Sequence, residues 1–147
     1  MSTAAKQEGC IFCNALDQKD PIESLIVFRG DLNFVLLNRY PYNNGHVMIA
    51  PYQHLANPID VHPDVLSEMM RICQRTLYAL REIYHPDGFN TGMNLGRSAG
   101  AGVEAHYHLH VVPRWSGDTS FMTTLGDTRV VPEDFQVTLG KLKPYFT

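Results

Sequence analysis

The segment His106-Tyr107-His108-Leu109-His110-Val111-Val112 restricts what this chain can become more than any other. Along a strand, side chains alternate faces with period two, so the three imidazoles share one face while Tyr107, Leu109 and Val111 share the other. The apolar set suits packing under a helix. The chain has seven histidines, and the concentration of His106, His108 and His110 in one short stretch is not background. Two uses suit such a face: metal binding and covalent catalysis. With an ordinary pKa of about 6.5, an imidazole is largely neutral near pH 7 and can coordinate zinc or attack an electrophile. Phosphorus is a natural electrophile for it, giving a phosphoramidate that water or another acceptor then resolves. A neighbouring backbone carbonyl that keeps one ring nitrogen protonated leaves the other free to attack. A polar strand face without chemistry is the plain alternative.

The rest of the chain supplies the frame for that strand. Residues 25–29 and 32–38 are apolar runs separated by Gly30-Asp31, which reads as a hairpin. Residues 45–51, 89–95 and 105–112 read as three further strands. Between them, over 63–84, Leu66, Met69, Met70, Cys73, Leu77, Leu80 and Tyr84 recur at steps of three and four, the spacing of one buried helix face. Pro63 suits the first helical turn, and Pro86-Asp87-Gly88 ends the segment. A short helix is expected over about 132–142. Strands, a long helix, then strands, without βαβ alternation, predict an α+β fold: a mostly antiparallel five-stranded sheet, one long helix and a short C-terminal helix. With 147 residues, 44% of them hydrophobic, one domain over 1–147 with a polar tail at 1–9 is expected. No run of about 18 apolar residues is present, and the start lacks the apolar centre of a signal peptide. A net charge of −3 with dispersed Lys and Arg argues against a nucleic-acid surface. The expectation is a cytoplasmic chain with neither a nucleic-acid nor a membrane partner.

Three cysteines without a secretory signal argue for reduced thiols rather than a disulfide framework. Cys10 and Cys13 form a C-x-x-C pair, a spacing shared by redox and zinc sites. A redox pair would follow a strand inside a βαβ unit. This one follows a polar tail, which favours zinc if two further ligands are found. Cys73 falls on the apolar helix face. Residues 96–102, rich in Gly and Ala, let backbone N–H groups approach an anion, and Arg97 and Ser98 add donors. That loop is either a phosphate seat or a turn between strands.

The pattern His106-x-His108-x-His110-Val111-Val112 resembles the signature of the histidine triad (HIT) superfamily of nucleotide hydrolases and transferases. Cys10-Ile11-Phe12-Cys13, Asn38-Arg39-Tyr40-Pro41-Tyr42-Asn43-Asn44-Gly45-His46, Pro51-Tyr52-Gln53-His54 and Pro113-Arg114-Trp115-x-Gly117-Asp118-x-x-Phe121-Met122 follow in the same order as that superfamily's blocks. The likeness covers about 10–122 and is greatest to the diadenosine tetraphosphate phosphorylase-like branch. It implies an HIT-like fold and an enzyme that transfers a nucleotidyl group from dinucleoside polyphosphates or related substrates. It makes His108 the nucleophile, His110 a phosphate-side partner and His46 a support for their geometry. It implies structural zinc on Cys10, Cys13, His54 and His106, with no organic cofactor. Asn38 would meet the ribose; Asn94, Ser98, Gly102 and Val103 fall on the phosphate side, and Trp115 borders the substrate or packs beside Pro113. Phe12, Phe34 and Leu36 line a base pocket or belong to the core. His62 and His85 match no site and read as surface residues. Better-known hydrolases carry Gln or Ser shortly before the triad, where this chain has Gly102-Val103-Glu104-Ala105. The acceptor, water or inorganic phosphate, therefore stays open. The resemblance also implies a homodimer. The alternative function is a nucleotide-binding interaction protein with incidental or nucleoside phosphoramidase activity.

Overall fold

A computed structural model describes residues 9–101, 105–118 and 133–147. Five strands form one sheet: β1 (Ile26–Arg29), β2 (Asn33–Leu37), β3 (Val47–Pro51), β4 (Gly88–Gly92) and β5 (Leu109–Arg114). Their spatial order is β1-β2-β3-β5-β4, and every neighbouring pair is antiparallel. Among the described residues four α-helices accompany them: α1 (Ile11–Asp17), α2 (Pro21–Ser24), α3 (Pro63–Tyr84) and α4 (Phe135–Leu142). The fold is α+β, as the strand and helix patterns predict. Among the described residues, no helix is long and apolar enough to cross a membrane.

The unbroken apolar run in β2 follows from burial on both faces of the sheet. Val35, Leu37, Val47 and Ile49 pack with Met69, Ile72 and Leu80 of α3 and with Leu139 and Leu142 of α4. Phe34, Leu36, Met48 and Ala50 point the other way, into a smaller cluster with Cys10, Phe12 and Ala15 of the α1 region. The sheet thus lies between α3 and α4 on one side and the short α1 on the other. Periodicity does not reveal α1, because seven residues span barely two turns. What holds it is Phe12, fully buried, and the cap at Cys10, whose Sγ accepts from the Cys13 N–H.

Helix α3 spans the residues its periodicity predicts, but its buried face is rotated. Met70 is 59% exposed rather than buried, while Glu68 and Thr76 face inward. Both polar groups are satisfied there: Glu68 accepts from the N–H groups of Asp31 and Leu32 and from the Asn33 amide, closing the β1–β2 turn. Thr76 Oγ1 donates to Ile72 O. His62 and His85 are exposed and cap the two ends of α3, His85 in the left-handed conformation.

The histidine strand is shorter than its sequence indicates. Pairing between β3 and β5 covers Val47↔Val111, Met48↔His110 and Ile49↔Leu109 only. Upstream of Leu109 the Tyr107 N–H donates instead to Leu55 O, beyond the end of β3 at Pro51. Proline has no N–H for a ladder, so β3 stops there. The alternation nevertheless persists through residues 106–110: Tyr107 is buried with Leu109 and Val111 against α3, while His106 and His108 face Phe12. The predicted strand at 89–95 also ends early, at Gly92. The predicted C-terminal helix is observed as Phe135–Leu142, and its expected start at 132 lies outside the described residues.

Candidate functional site

Four histidines meet on the α1 side of the sheet, where hydrogen-bond partners assign their tautomers. His108 is 5% exposed, and its Nδ1 lies 3.0 Å from His106 O. A carbonyl only accepts, so Nδ1 carries the proton and Nε2 keeps its lone pair. The ring packs against Phe12 at 4.7 Å and against His110 at 4.7 Å. A second chain starts at the Tyr42 N–H, which donates to His46 Nδ1 at 3.2 Å. His46 must then carry its proton on Nε2, which faces His110 Nδ1 at 2.9 Å. His110 accepts on Nδ1 and so presents an Nε2–H as a donor. Burial keeps these rings neutral. It pushes His46 down to about 3, helped by His110, and His110 down to about 4, helped by His108. His108 is lowered for the same reason, opposed by its bond to the His106 carbonyl. The cluster thus holds one oriented nucleophilic nitrogen beside one oriented donor.

His106 looks the other way. Its Nε2 donates to Pro51 O at 2.9 Å, which turns the Nδ1 lone pair toward Cys10 Sγ at 3.3 Å and Cys13 Sγ at 3.8 Å. His54 Nδ1 lies 3.3 Å from Cys13 Sγ, and the four ligand atoms all fall within 4.8 Å of one another. Tetrahedral zinc, with Zn–S near 2.3 Å and Zn–N near 2.0 Å, separates S and N ligands by about 3.5 Å, so the set fits that ion. The Pro51 carbonyl also supplies the partner that a metal-binding imidazole needs on its other nitrogen. Burial and the adjoining Cys10 thiol push the Cys13 thiol up to about 11, a penalty that a divalent cation would offset. His106 joins the two constellations: its ring faces the cysteines and its carbonyl orients His108.

Two cavities open beside the cluster. The first, about 310 Å³, is lined by Ile11, Ala15, Gln18, Leu36, Asn38 and Tyr40 among others. The second, about 270 Å³, is lined by Tyr42, Asn90, Asn94, His110 and Arg114 among others. Asn38 of the first cavity approaches the His46 ring to 3.4 Å, and His46 bonds to His110 of the second. Phe12 and Phe34 are fully buried and belong to the core; Leu36 both packs there and lines the first cavity. Ser98, on an exposed 3-10 turn (Arg97–Ala99), and Trp115, half-buried after β5, line neither cavity. Gly102 and Val103 lie outside the described residues, as do Phe121 and Met122.

Sequence reasoning passes over Tyr42, Asn43, Arg114 and Asp118 as individual site residues. Asp118 accepts from Arg114 Nη2 at 2.8 Å, from Trp115 N at 2.9 Å and from the Asn43 amide at 2.8 Å. The opposite charges four residues apart, at Arg114 and Asp118, are the one signal that points to it.

The site thus combines, on an α+β domain of this topology, a neutral, oriented imidazole beside two clefts and a Cys₂His₂ set. The HIT domain family matches residues 19–117. The chain belongs to the histidine triad (HIT) family. The AP-4-A phosphorylase of Mycobacterium tuberculosis is 42% identical over 111 residues, 76% of this chain and 57% of that protein. The chain therefore spans little more than half the length of that relative. An uncharacterized HIT-like protein of Saccharolobus solfataricus is 32% identical over 113 residues, 77% of this chain and 79% of its own. Among solved structures, a Zn-bound histidine triad family protein from Mycobacterium smegmatis superposes with a TM-score of 0.74 at 27% identity, over 95% of this chain and 94% of that one.

Proposed function

We propose that this protein transfers a nucleotidyl group from a dinucleoside polyphosphate through a covalent intermediate on His108, with inorganic phosphate or water as acceptor. The observation that carries this reading is the tautomer of His108. Its Nδ1–H is held by the His106 carbonyl, so the Nε2 lone pair is the free end of a nearly buried, neutral ring. In the first step Nε2 attacks the α-phosphorus: the N–P bond forms, the bridging P–O bond breaks, and the distal nucleotide leaves with that oxygen. The positive charge left on the ring is stabilised by the Nδ1–H bond to His106 O. The Nε2–H of His110 donates to a phosphoryl oxygen as negative charge grows there. In the second step an oxygen of the acceptor forms the new P–O bond as the N–P bond breaks. Water gives a nucleoside monophosphate, and phosphate gives a nucleoside diphosphate.

The first cavity takes the nucleoside, with Ile11, Ala15 and Leu36 against the base and Asn38 toward the ribose. The second, past His110, takes the phosphates with Asn94. The 42% identical AP-4-A phosphorylase supports the same substrate class and favours phosphate as acceptor. Cys10, Cys13, His54 and His106 would hold zinc. With four protein ligands its coordination sphere would be closed, and it would tie α1 to the segment that carries His108. Among the described residues β4 is an edge of the sheet, exposed over residues 90–92, and such an edge suits a homodimer built from two copies. Three free cysteines and a net charge of −3 support a cytoplasmic protein.

The test is product analysis with diadenosine tetraphosphate, with and without inorganic phosphate. Phosphate-dependent ADP together with ATP establishes phosphorolysis; AMP together with ATP, regardless of phosphate, establishes hydrolysis. In either case His108→Ala abolishes turnover and spares nucleotide binding. Turnover that survives this change overturns the mechanism.

A further inference from the structure

The loop before β3 has little apolar burial to hold it: Tyr40 is 83% and Tyr42 80% exposed. Yet this loop delivers the backbone N–H that sets the tautomer of His46 and, through it, of His110. What fastens it is Asn43. The Asn43 amide donates to Pro113 O at 2.8 Å and to Asp118 Oδ2 at 2.8 Å, both at the far end of β5. Asp118 is itself immobilised. It accepts from the Trp115 N–H at 2.9 Å and from Arg114 Nε at 2.9 Å, and Arg114 Nη1 continues to Asn90 Oδ1 of β4 at 2.5 Å. The guanidinium beside it holds the Asp118 carboxyl well below the usual carboxylate range, so it stays a charged acceptor.

Asn43 lies between the two contacts that orient His46. Immediately before it, Tyr42 donates its N–H to His46 Nδ1 at 3.2 Å and stacks its ring on the imidazole, 5.2 Å between centroids and 12° from parallel. Asn43's own carbonyl accepts the His46 N–H at 3.2 Å. A slip of the loop breaks all three together. His46 then loses the donor that forces its proton onto Nε2, and His110 loses the partner that turns its Nε2–H outward.

We propose that Asn43 and Asp118 form a positioning strut that locks the loop, and through Tyr42, His46 and His110 aims the donor that serves the phosphoryl group. Neither residue touches the reacting atoms. The assignment rests on the nucleotidyl-transfer reading above for its consequence in turnover, but its structural half is testable without substrate.

The readout is the imidazole N–H proton of His46 shared with His110, observed by ¹⁵N-edited NMR of the full chain without nucleotide. In the native protein a slowly exchanging Nε2–H signal is expected, with ¹⁵N shifts placing the protons of His46 and His110 on Nε2. Asn43→Ala, which removes one amide from an exposed loop, should broaden or erase this signal. It should also lower kcat on diadenosine tetraphosphate about tenfold with KM little changed, a fraction of the roughly 10²–10³ that losing an oriented oxyanion donor outright costs. Asp118→Asn should do the same, and the double variant should be no worse than the poorer single one, because both break one strut. Additive losses overturn the proposal, as does a kcat loss with the His46 signal intact. A native protein that lacks the signal overturns it as well. If the native chain shows the signal but transfers no nucleotidyl group, the functional reading fails while the strut is still judged by the Asn43→Ala spectrum.

Discussion

At the scale of single residues, the site works by deciding which nitrogen of each ring holds the proton. Backbone groups make the decision: His106 O for His108, Tyr42 N–H for His46 and Pro51 O for His106. Burial then keeps the rings neutral, and this has a measurable consequence for stability. In the unfolded chain His46 and His110 take up protons near pH 6.5, whereas in the fold burial holds them down to about 3 and about 4. The unfolded state binds more protons between those values. Their contribution is therefore intact above about pH 6.5 and is lost progressively as the pH falls toward 4 and then 3, at about 1.4 kcal/mol per pH unit for each ring. Urea midpoints should fall between pH 7 and pH 5, and His46→Phe should flatten that fall. An equal slope in the variant would refute the account. The turnover profile should likewise lack an acid limb at 6.5. The identity of the histidines was legible in their period-two spacing, but the tautomers were not. That of His106 depends on the carbonyl of Pro51 from a distant segment, and those of His108 and His46 depend on the local path of the backbone, which spacing alone does not reveal.

At the scale of elements, the sequence displayed the long helix and the hairpin and concealed α1. Helix α3 has 22 residues over which its apolar period repeats, and α1 has seven. Gly45 reads in the sequence as the first residue of a strand, but the structure places it ahead of β3, which begins at Val47. Gly45 has φ +81°, and a Cβ there would lie 3.0 Å from both Leu80 and Tyr84. The shortened histidine strand was not readable, because the end of β3 at Pro51 and the detour of the Tyr107 N–H to Leu55 involve residues far apart in sequence. The Cys10–Cys13 pair at the start of α1 is where element and site meet. Protein purified without added metal should contain about one zinc per chain. Cys13→Ser should bring this well below one and lower the melting temperature, since the tie between α1 and the His106 segment is lost. Elemental analysis and a thermal melt decide it, and a fully loaded Cys13→Ser protein would remove that ligand from the set.

At the scale of the whole molecule, the long helix packs on one side of the sheet and the candidate site lies on the other. Helices α3 and α4 cover the first, and the histidines, the Cys₂His₂ set and both cavities gather on or beside the second. The exposed edge at β4 sits next to the second cavity, whose lining includes Asn90, and it is the edge on which the proposed homodimer would pair. Light scattering at micromolar concentration should give twice the 16.6 kDa chain mass; a monomer would remove the edge-to-edge assembly. By itself the sequence determined the fold class, the long helix, the face on which the histidines lie and the Cys10–Cys13 pair as a candidate half of a zinc site. These are local in cause: side-chain period, turn chemistry and ligand type act over a few residues. Tertiary structure alone decided the role of α1, the point where the histidine strand leaves the ladder, the tautomer of every site imidazole and the strut from Asn43 to Asp118. The departure of the strand, the tautomer of His106 and the strut join polar groups tens of residues apart, whereas the tautomers of His108 and His46 follow from the local backbone path that the packed sheet imposes. Only the packed sheet, by excluding water from those groups, makes one partner compulsory.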